Sequence, residues 1–328
     1  MAASVAGSKS VERKRAAKRR PRVRVISEWP LRRAGSLRVL ETPRLAQLGW
    51  LTHGFSTRSG GTSELETDRG LDGPGGQTLN LGFTDWDLRE RVGENRRRFF
   101  SAIGAGQMRV VTLRQIHSDI VRLVDSLEQA PAGQELKGDA LVTRERGVLL
   151  VVETADCIPI LLADTKRRAI AAVHSGWRGT VRRIAEKTLG RMQMEFGTQP
   201  KDVIASLGPG IERCCYEVGS DVAREFHAQF SDAGEWFDGP FDSLLAGDND
   251  PSWLPWLTMM PPGHQPPAPR VRLSLAAANR AILTRAGVRP ERISSSRLCT
   301  ACRTDLFFSY RREGTTGRLM GAIGIRPL

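Results

Sequence analysis
The chain of 328 residues has no apolar run long enough to span a membrane; its longest, near Gly147–Val152 and Ile158–Ala163, have the length of buried strands. No apolar stretch of signal-peptide length precedes the first basic residues, which argues against secretion. Cysteine is sparse and odd in number, five in all with Cys214 and Cys215 adjacent, so a framework of paired disulfides is not expected. A reducing compartment, the cytoplasm, fits better, and there thiols are free to ligate metal. The phosphate-binding P-loop, the G-x-S-x-G elbow and a complete dinucleotide fingerprint are all missing. So is the H-x-E with P-C-x-x-C signature, which excludes the usual nucleobase-deaminase scaffold. No internal repeat is found.

What the chain has in excess is positive charge, +13 overall. Its location decides its meaning. Residues 1–40 hold twelve Lys or Arg against Glu12 and Glu28, a net +10, which leaves +3 for the other 288 residues. The basicity therefore belongs to a tail, expected to be a solvated, disordered extension with the charge for weak contact with nucleic acid or anionic surfaces. From about Glu41 the composition becomes globular, and residues 41–328 are expected to form a single domain. Residues 233–270, rich in Pro, Trp and Gly, read as an inserted loop, with Trp236, Trp253 and Trp256 available for local packing.

Helices are expected over Leu88–Ile103, Thr180–Phe196, Asp221–Phe230 and Leu273–Ala286. Short strands are expected at Arg109–Arg114, Ile120–Val124, Ala140–Thr143, Val148–Glu153, Pro159–Ala163, Ala169–Val173 and Ala205–Gly210. Two more, Leu306–Tyr310 and Leu319–Arg326, close the chain. Strands in runs with helices in blocks favour an α+β layered fold over a strictly alternating parallel one.

Only His53, His117, His174, His227 and His264 are available as imidazoles. His117 follows a strand, His174 ends a very apolar one, and Cys157 ends another. Two imidazoles and a thiolate brought together at strand ends match zinc, and three protein ligands leave a fourth position open, as in a catalytic site. The spacing of 40 and then 17 residues is no established zinc signature. Two other readings stay open at this level: structural histidines with a buried cysteine, and Cys157 as a nucleophile with a histidine base.

Seven segments in order carry a resemblance: Thr52–Arg58, Arg114–His117, Asp139–Thr143, Thr154–Pro159, His174–Gly179, Gly208–Val218 and Phe307–Arg312. Together they resemble the YfiH-type family, long labelled multicopper polyphenol oxidase or laccase-like and regarded as purine nucleoside phosphorylases. The likeness covers roughly residues 43–328 apart from the inserted loop. It implies phosphorolysis of adenosine, inosine and methylthioadenosine, deamination of adenosine, and a layered α/β/β/α-type fold with mixed sheets and a pseudo-symmetric core. It also implies Zn2+ held by His117, Cys157 and His174, with purine nucleosides and inorganic phosphate as partners. Ser175 stands where Ala is usual in the family.

Several residues are candidates around that metal. Arg58 offers a bidentate fork for phosphate, and Arg178, next to the His174 motif, offers a second; a structural ion pair is the plain alternative for each. Asp156, beside Cys157, is placed to orient a ligand or move a proton, or simply to make a structural hydrogen bond. Glu217 is a weaker acid–base candidate. Gln115 and Asn80 are candidates to bond base or ribose, although Asn80 also suits a turn. Cys299 and Cys302 form a C-x-x-C, for which redox or metal use is one reading; without a second pair in view, a structural or substrate-adjacent role is favoured. Against the copper label, multicopper chemistry needs many histidines, and five with two in ligand-like settings are too few. The remaining rivals are a cysteine hydrolase and a nucleic-acid binder acting through the tail.

Overall fold
The runs Val148–Thr154, Ile158–Asp164, Ile170–Ser175 and Leu319–Ile325 are apolar without polar alternation, the pattern of strands covered on both faces. In the computed structural model, which describes residues 29–65, 77–125, 136–239, 241 and 270–328, all four lie inside two six-stranded sheets. The first sheet is built from β1 (Leu31–Ala34), β2 (Leu37–Leu40), β3 (Leu51–Ser56), β6 (Arg109–Val111), β9 (Val148–Thr154) and β17 (Leu319–Ile325). Its spatial order is β1-β2-β3-β17-β9-β6. The second holds β7 (Val121–Leu123), β8 (Ala140–Thr143), β10 (Ile158–Asp164), β11 (Ile170–Ser175), β12 (Val203–Leu207) and β16 (Ile293–Ser295). Its order is β16-β12-β10-β11-β8-β7. A ribbon of β4 (Ser59–Glu64) and β5 (Gln77–Thr78), and a small sheet of β13 (Glu217–Val218), β15 (Val271–Leu273) and β14 (Phe237–Asp238), complete the described strands.

Pairing directions repeat between the two large sheets. Along β2-β3-β17-β9-β6 three antiparallel pairs are followed by one parallel pair, and the same sequence holds along β12-β10-β11-β8-β7. The sheets stack face to face. Val148, Leu150 and Val152 point inward with Leu161, Ala163, Ile170 and Ala172, whereas Leu149 and Val151 point outward. Helix α2 (Arg89–Ala102) covers that outer face with Phe99 and Phe100. On the far side α4 (Ile184–Phe196), α5 (Ser220–Gln229) and α6 (Leu275–Arg285) cover the second sheet; their buried positions Ile184, Thr188, Leu189 and Met192 in α4 follow helical spacing. The short α1 (Pro43–Ala46), α3 (Trp177–Val181) and α7 (Tyr310–Glu313) occupy connections. This is the layered α/β/β/α arrangement of mixed sheets expected above.

Four boundaries move. The hairpin β1–β2 and the buried Trp29, Leu37, Val39 and Leu40 place residues 29–40 inside the fold, although residues 1–40 were expected to be tail; their alternating apolar residues complete the first sheet. Residues 1–28 and most of the expected insertion lie outside the described residues. At the start of that insertion, Trp236, Phe237 and Phe241 are core residues rather than loop. The single helix expected over Thr180–Phe196 is two, α3 and α4, broken at Arg182–Arg183, where Arg183 has φ 60°. Leu306–Tyr310 is not a strand: Ser309 caps α7, its Oγ accepting the Arg312 N–H at 3.3 Å while Glu313 accepts the Ser309 N–H at 2.8 Å.

His53 on β3 is buried, and its Nε2 accepts the Thr42 N–H at 2.9 Å, so it folds as the neutral imidazole. Burial outweighs the neighbouring Glu41 carboxylate and lowers its pKa from 6.5 to about 4. The unfolded chain therefore takes up this proton at higher pH than the folded one. The stability involved is fully present above about pH 6.5 and is withdrawn, by about 3 kcal/mol, as pH falls to about 4. Thermal melts from pH 7 to pH 4 are expected to show this loss, and a His53→Gln variant is expected to flatten it.

Candidate metal centre
The topology explains why residues far apart in sequence meet. Strand β9 belongs to the first sheet and β10 to the second, so Ala155, Asp156 and Cys157 form the bridge between sheets. Strands β6 and β7 are likewise in different sheets, and His117 lies on their connection. His174 is opposite Pro159 in the β10–β11 register, two residues from Cys157. All three side chains therefore reach the same end of the sandwich. Their donor atoms lie within 4.8 Å of one another, with Cys157 Sγ 3.9 Å from His117 Nε2. The two imidazoles meet edge to face at a centroid distance of 4.9 Å.

Asp139 holds this group in place. It is fully buried at the start of β8, and its carboxylate accepts the N–H of Ile116, His117 and Ser118 at 3.3, 3.0 and 2.6 Å. It also accepts the Ser118 hydroxyl at 2.6 Å, and its Oδ1 lies 2.9 Å from His174 Nδ1. That last contact assigns the Nδ1 proton of His174 and leaves Nε2 as the donor facing the site. Burial alone would raise the Asp139 pKa, but the hydrogen bonds from His174 and Ser118 prevail and hold it at about 2. Burial also resists ionisation of Cys157, yet the charge on His174 and the hydrogen bond to His117 bring its thiol down to about 6. The same pairing raises His174 despite its burial. Backbone strain concentrates here: His117 has φ 56° and Asp156 φ 94°. Gly176 has to be glycine, since a Cβ there would sit 2.9 Å from Cys157 Sγ and 3.2 Å from a His117 ring carbon.

The three donors form the floor of a cavity of about 1040 Å³. Six arginines, Arg96, Arg109, Arg114, Arg178, Arg311 and Arg318, line it against the carboxylates of Glu153 and Asp156. Flat apolar surface comes from Phe83, Trp177, Tyr216 and Tyr310. Arg178 stacks on Trp177 at 4.4 Å, Arg96 on Phe83 at 4.2 Å and Arg311 on Tyr216 at 5.2 Å. Such a chamber favours a ligand that combines negative charge with a planar face.

The expected site residues divide. His117, Cys157, His174, Gln115, Asp156 and Arg178 all line the cavity. Gln115 is held there by a two-way clasp with the Glu153 backbone, both contacts at 2.7 Å. Asp156 accepts the Thr300 hydroxyl at 2.6 Å and the Arg311 N–H at 2.7 Å, so both oxygens are engaged in positioning. Arg58, Asn80 and Glu217 do not line the cavity. Arg58 is buried against Glu313 at 2.6 Å, the Thr304 carbonyl and the Phe308 ring. Asn80 is consumed by a turn, bonding Gly82, Asp87 and the Arg318 N–H. The Glu217 carboxylate meets Arg270 at the surface. Asp139 and five of the cavity arginines were not singled out from the sequence; the Asp139-Ala140-Leu141 segment was noted only as a motif. Ser175, unusual for Ala, is accounted for by its hydroxyl, which bonds Thr180 and Asn279 and so ties β11 to α3 and α6.

Three donors of this kind suit one divalent cation. Zinc with bonds of about 2.0–2.3 Å in tetrahedral geometry places neighbouring donors ~3.5 Å apart, which the 3.9 Å between sulfur and nitrogen approaches. The lowered thiol supplies the thiolate and the Asp139 contact orients the imidazole.

Residues 52–326 match the family described as multi-copper polyphenol oxidoreductase laccase. A purine nucleoside phosphorylase of Deinococcus radiodurans is 38% identical over 294 residues, covering 89% of this chain and 94% of that protein. An adenosine deaminase, RL5, from an unknown prokaryotic organism is 32% identical and covers 82% of this chain and 96% of its own length. The crystal structure of YlmD from Geobacillus stearothermophilus superposes with a TM-score of 0.70 at 28% identity, covering 92% of this chain and all of that one. With a matching profile over most of its length, relatives above 30% identity and the same four-layer fold, the chain belongs to the YfiH-type family that carries the multi-copper polyphenol oxidoreductase laccase description.

Proposed function
We propose that this chain is a zinc-dependent purine nucleoside phosphorylase, acting on adenosine, inosine and methylthioadenosine with inorganic phosphate, and that the same site deaminates adenosine. The observation that carries the reading is the meeting of His117, Cys157 and His174 on the floor of a cavity walled by six arginines and four aromatic rings. The names borne by the relatives from Deinococcus radiodurans and from the unknown prokaryote support the two activities. The five free cysteines suit a reducing compartment and support a cytoplasmic setting.

In phosphorolysis a phosphate oxygen bonds to the anomeric carbon as the bond to the purine breaks, and positive charge grows on the ribose. Bound zinc supplies Lewis acidity and, with only one anionic ligand, net positive charge near the phosphate. The chain's own groups do the positioning. Arg178, braced on Trp177, and its arginine neighbours place and neutralise the phosphate. The rings of Tyr216 and Tyr310 offer stacking faces to the purine. Burial pushes the Tyr216 hydroxyl further up, so it stays protonated and serves as a hydrogen-bond donor. Asp156 keeps the Cys157 bridge in shape through Thr300 and Arg311.

Purified, zinc-replete protein given adenosine and phosphate is expected to release adenine and ribose 1-phosphate, with inosine formed by the deaminase activity. Absence of all nucleoside turnover would sink the reading. One geometric feature favours a second reading: Cys157 Sγ lies within 4.8 Å of a His174 ring nitrogen, and His174 Nδ1 is 2.9 Å from Asp139, the order of groups in a cysteine hydrolase. Such an enzyme works without metal, so full activity after chelation would select it. Copper oxidation finds little support, since among the described residues two imidazoles, His117 and His174, line the cavity. The catalytic unit on this reading is residues 29–328, and removing residues 1–28 is expected to leave nucleoside turnover within about twofold, whereas removal through residue 40 strips two strands and destabilises the fold. A nucleic-acid binder acting through the tail predicts the reverse for the shorter deletion.

A further inference from the structure
Outside the cavity floor, one more group of soft donors converges among the described residues. Cys299 and Cys302 form the C-x-x-C already noted, and the fold supplies the second pair that the sequence did not reveal, Cys214 and Cys215. All four sulfurs lie within 4.8 Å of one another. Cys302 Sγ is 3.5 Å from Cys214 Sγ and 3.3 Å from Cys215 Sγ. A turn from Glu212 to Tyr216, closed by the Cys215 and Tyr216 N–H groups on the Glu212 carbonyl at 2.9 and 3.0 Å, brings the two adjacent sulfurs to the same partner. None of the five cysteines is in a disulfide.

We propose that these four cysteines form a second metal site, a closed tetrathiolate centre for a zinc-class divalent cation that clamps one wall of the cavity. Tetrahedral zinc with bonds of about 2.3 Å to sulfur sets the sulfurs ~3.8 Å apart, close to the separations seen. The spread is that of one ion, too tight for thiolates arranged around several irons. Thiolate-only ligation selects soft, tetrahedral cations over magnesium or calcium. Four protein ligands leave no vacant position, which makes this centre structural where the three-donor site is open.

The placement says what is clamped. The segments around Gly210 and Cys299 already run side by side, with the Thr300 N–H on the Gly210 carbonyl at 3.0 Å and the Glu212 N–H on Cys299 Sγ at 3.4 Å. Between the two cysteines of the C-x-x-C, Thr300 holds Asp156, the neighbour of Cys157. Directly after Cys215 comes Tyr216, a cavity-lining ring. A cation at the four sulfurs locks both segments at once. The inference stands on the cysteines alone and does not depend on the reaction performed next door.

The test is a metal count on the full chain purified under reducing conditions in zinc. Wild-type protein is expected to carry two zinc ions per chain, and Cys302→Ser one. A Cys214→Ser/Cys215→Ser variant is also expected to carry one, as is the His117→Ala/Cys157→Ala variant. Cobalt loaded into His117→Ala/Cys157→Ala is expected to show the thiolate-to-cobalt charge-transfer bands of a tetrahedral sulfur site, lost on adding Cys302→Ser. Should the serine variants fail to fold, alkylation of the wild-type chain decides: the four thiols are shielded while metal is bound and react after chelation. One zinc per chain that Cys302→Ser leaves in place, or a disulfide from Cys302 to Cys214 or Cys215 in the metal-replete protein, overturns the proposal.

Discussion
His117→Ala is expected to lower nucleoside turnover by ~10³-fold, about 4 kcal/mol of transition-state stabilisation, with loss of one bound metal ion per chain. The imidazole is exposed to the cavity rather than packed in the core, so its removal costs little folding energy and the loss reads on chemistry. Cys157→Ala is expected to act alike, since it removes the thiolate that binds the ion. The two substitutions together separate the candidate mechanisms. A cysteine hydrolase built on Cys157, His174 and Asp139 loses everything with Cys157 and little with His117. A metal enzyme loses both. Steady-state kinetics beside metal analysis on the same samples give the answer, and unchanged turnover in His117→Ala removes His117 from the site.

Asp139→Asn is expected to weaken metal binding 10- to 100-fold and to destabilise the fold by several kcal/mol. The carboxylate accepts three backbone N–H groups, a hydroxyl and the His174 ring from a fully buried position. An amide presents one acceptor oxygen and one donor, so it cannot receive all five. Its NH2 group faces N–H donors, and each buried group left unpaired costs about 1–3 kcal/mol. These bonds hold residues 116–118 in a shape with positive φ at His117, so that loop and the candidate ligand on it are expected to loosen together. Metal titration reads the affinity and chemical denaturation the stability. A variant that keeps native affinity while losing stability would confine Asp139 to folding.

The class of fold was legible in the amino-acid pattern, and the candidate metal trio in that pattern together with the family resemblance. Apolar runs with no alternation, such as Ile158–Asp164 and Leu319–Ile325, pointed to strands covered on both faces, while the stacking of two sheets was implied only by the family resemblance. His117, Cys157 and His174 stood out because imidazole and thiol are scarce and each sat at a strand end. Which arginines line the cavity was decided by the tertiary structure. Arg58 and Arg178 are chemically the same, yet one is folded onto Glu313 and Phe308 and the other opens onto the cavity. Asp139 gave no signal of its role beyond its place in a family segment, because an acidic residue before an apolar strand looks like any turn residue until the loop bearing His117 closes over it. The pairing of Cys214 and Cys215 with a C-x-x-C more than eighty residues away has the same cause. Local patterns record which faces are buried, since burial repeats with the period of the strand or helix, whereas contact between distant loops depends on strand order, and strand order leaves no periodic trace in the chain.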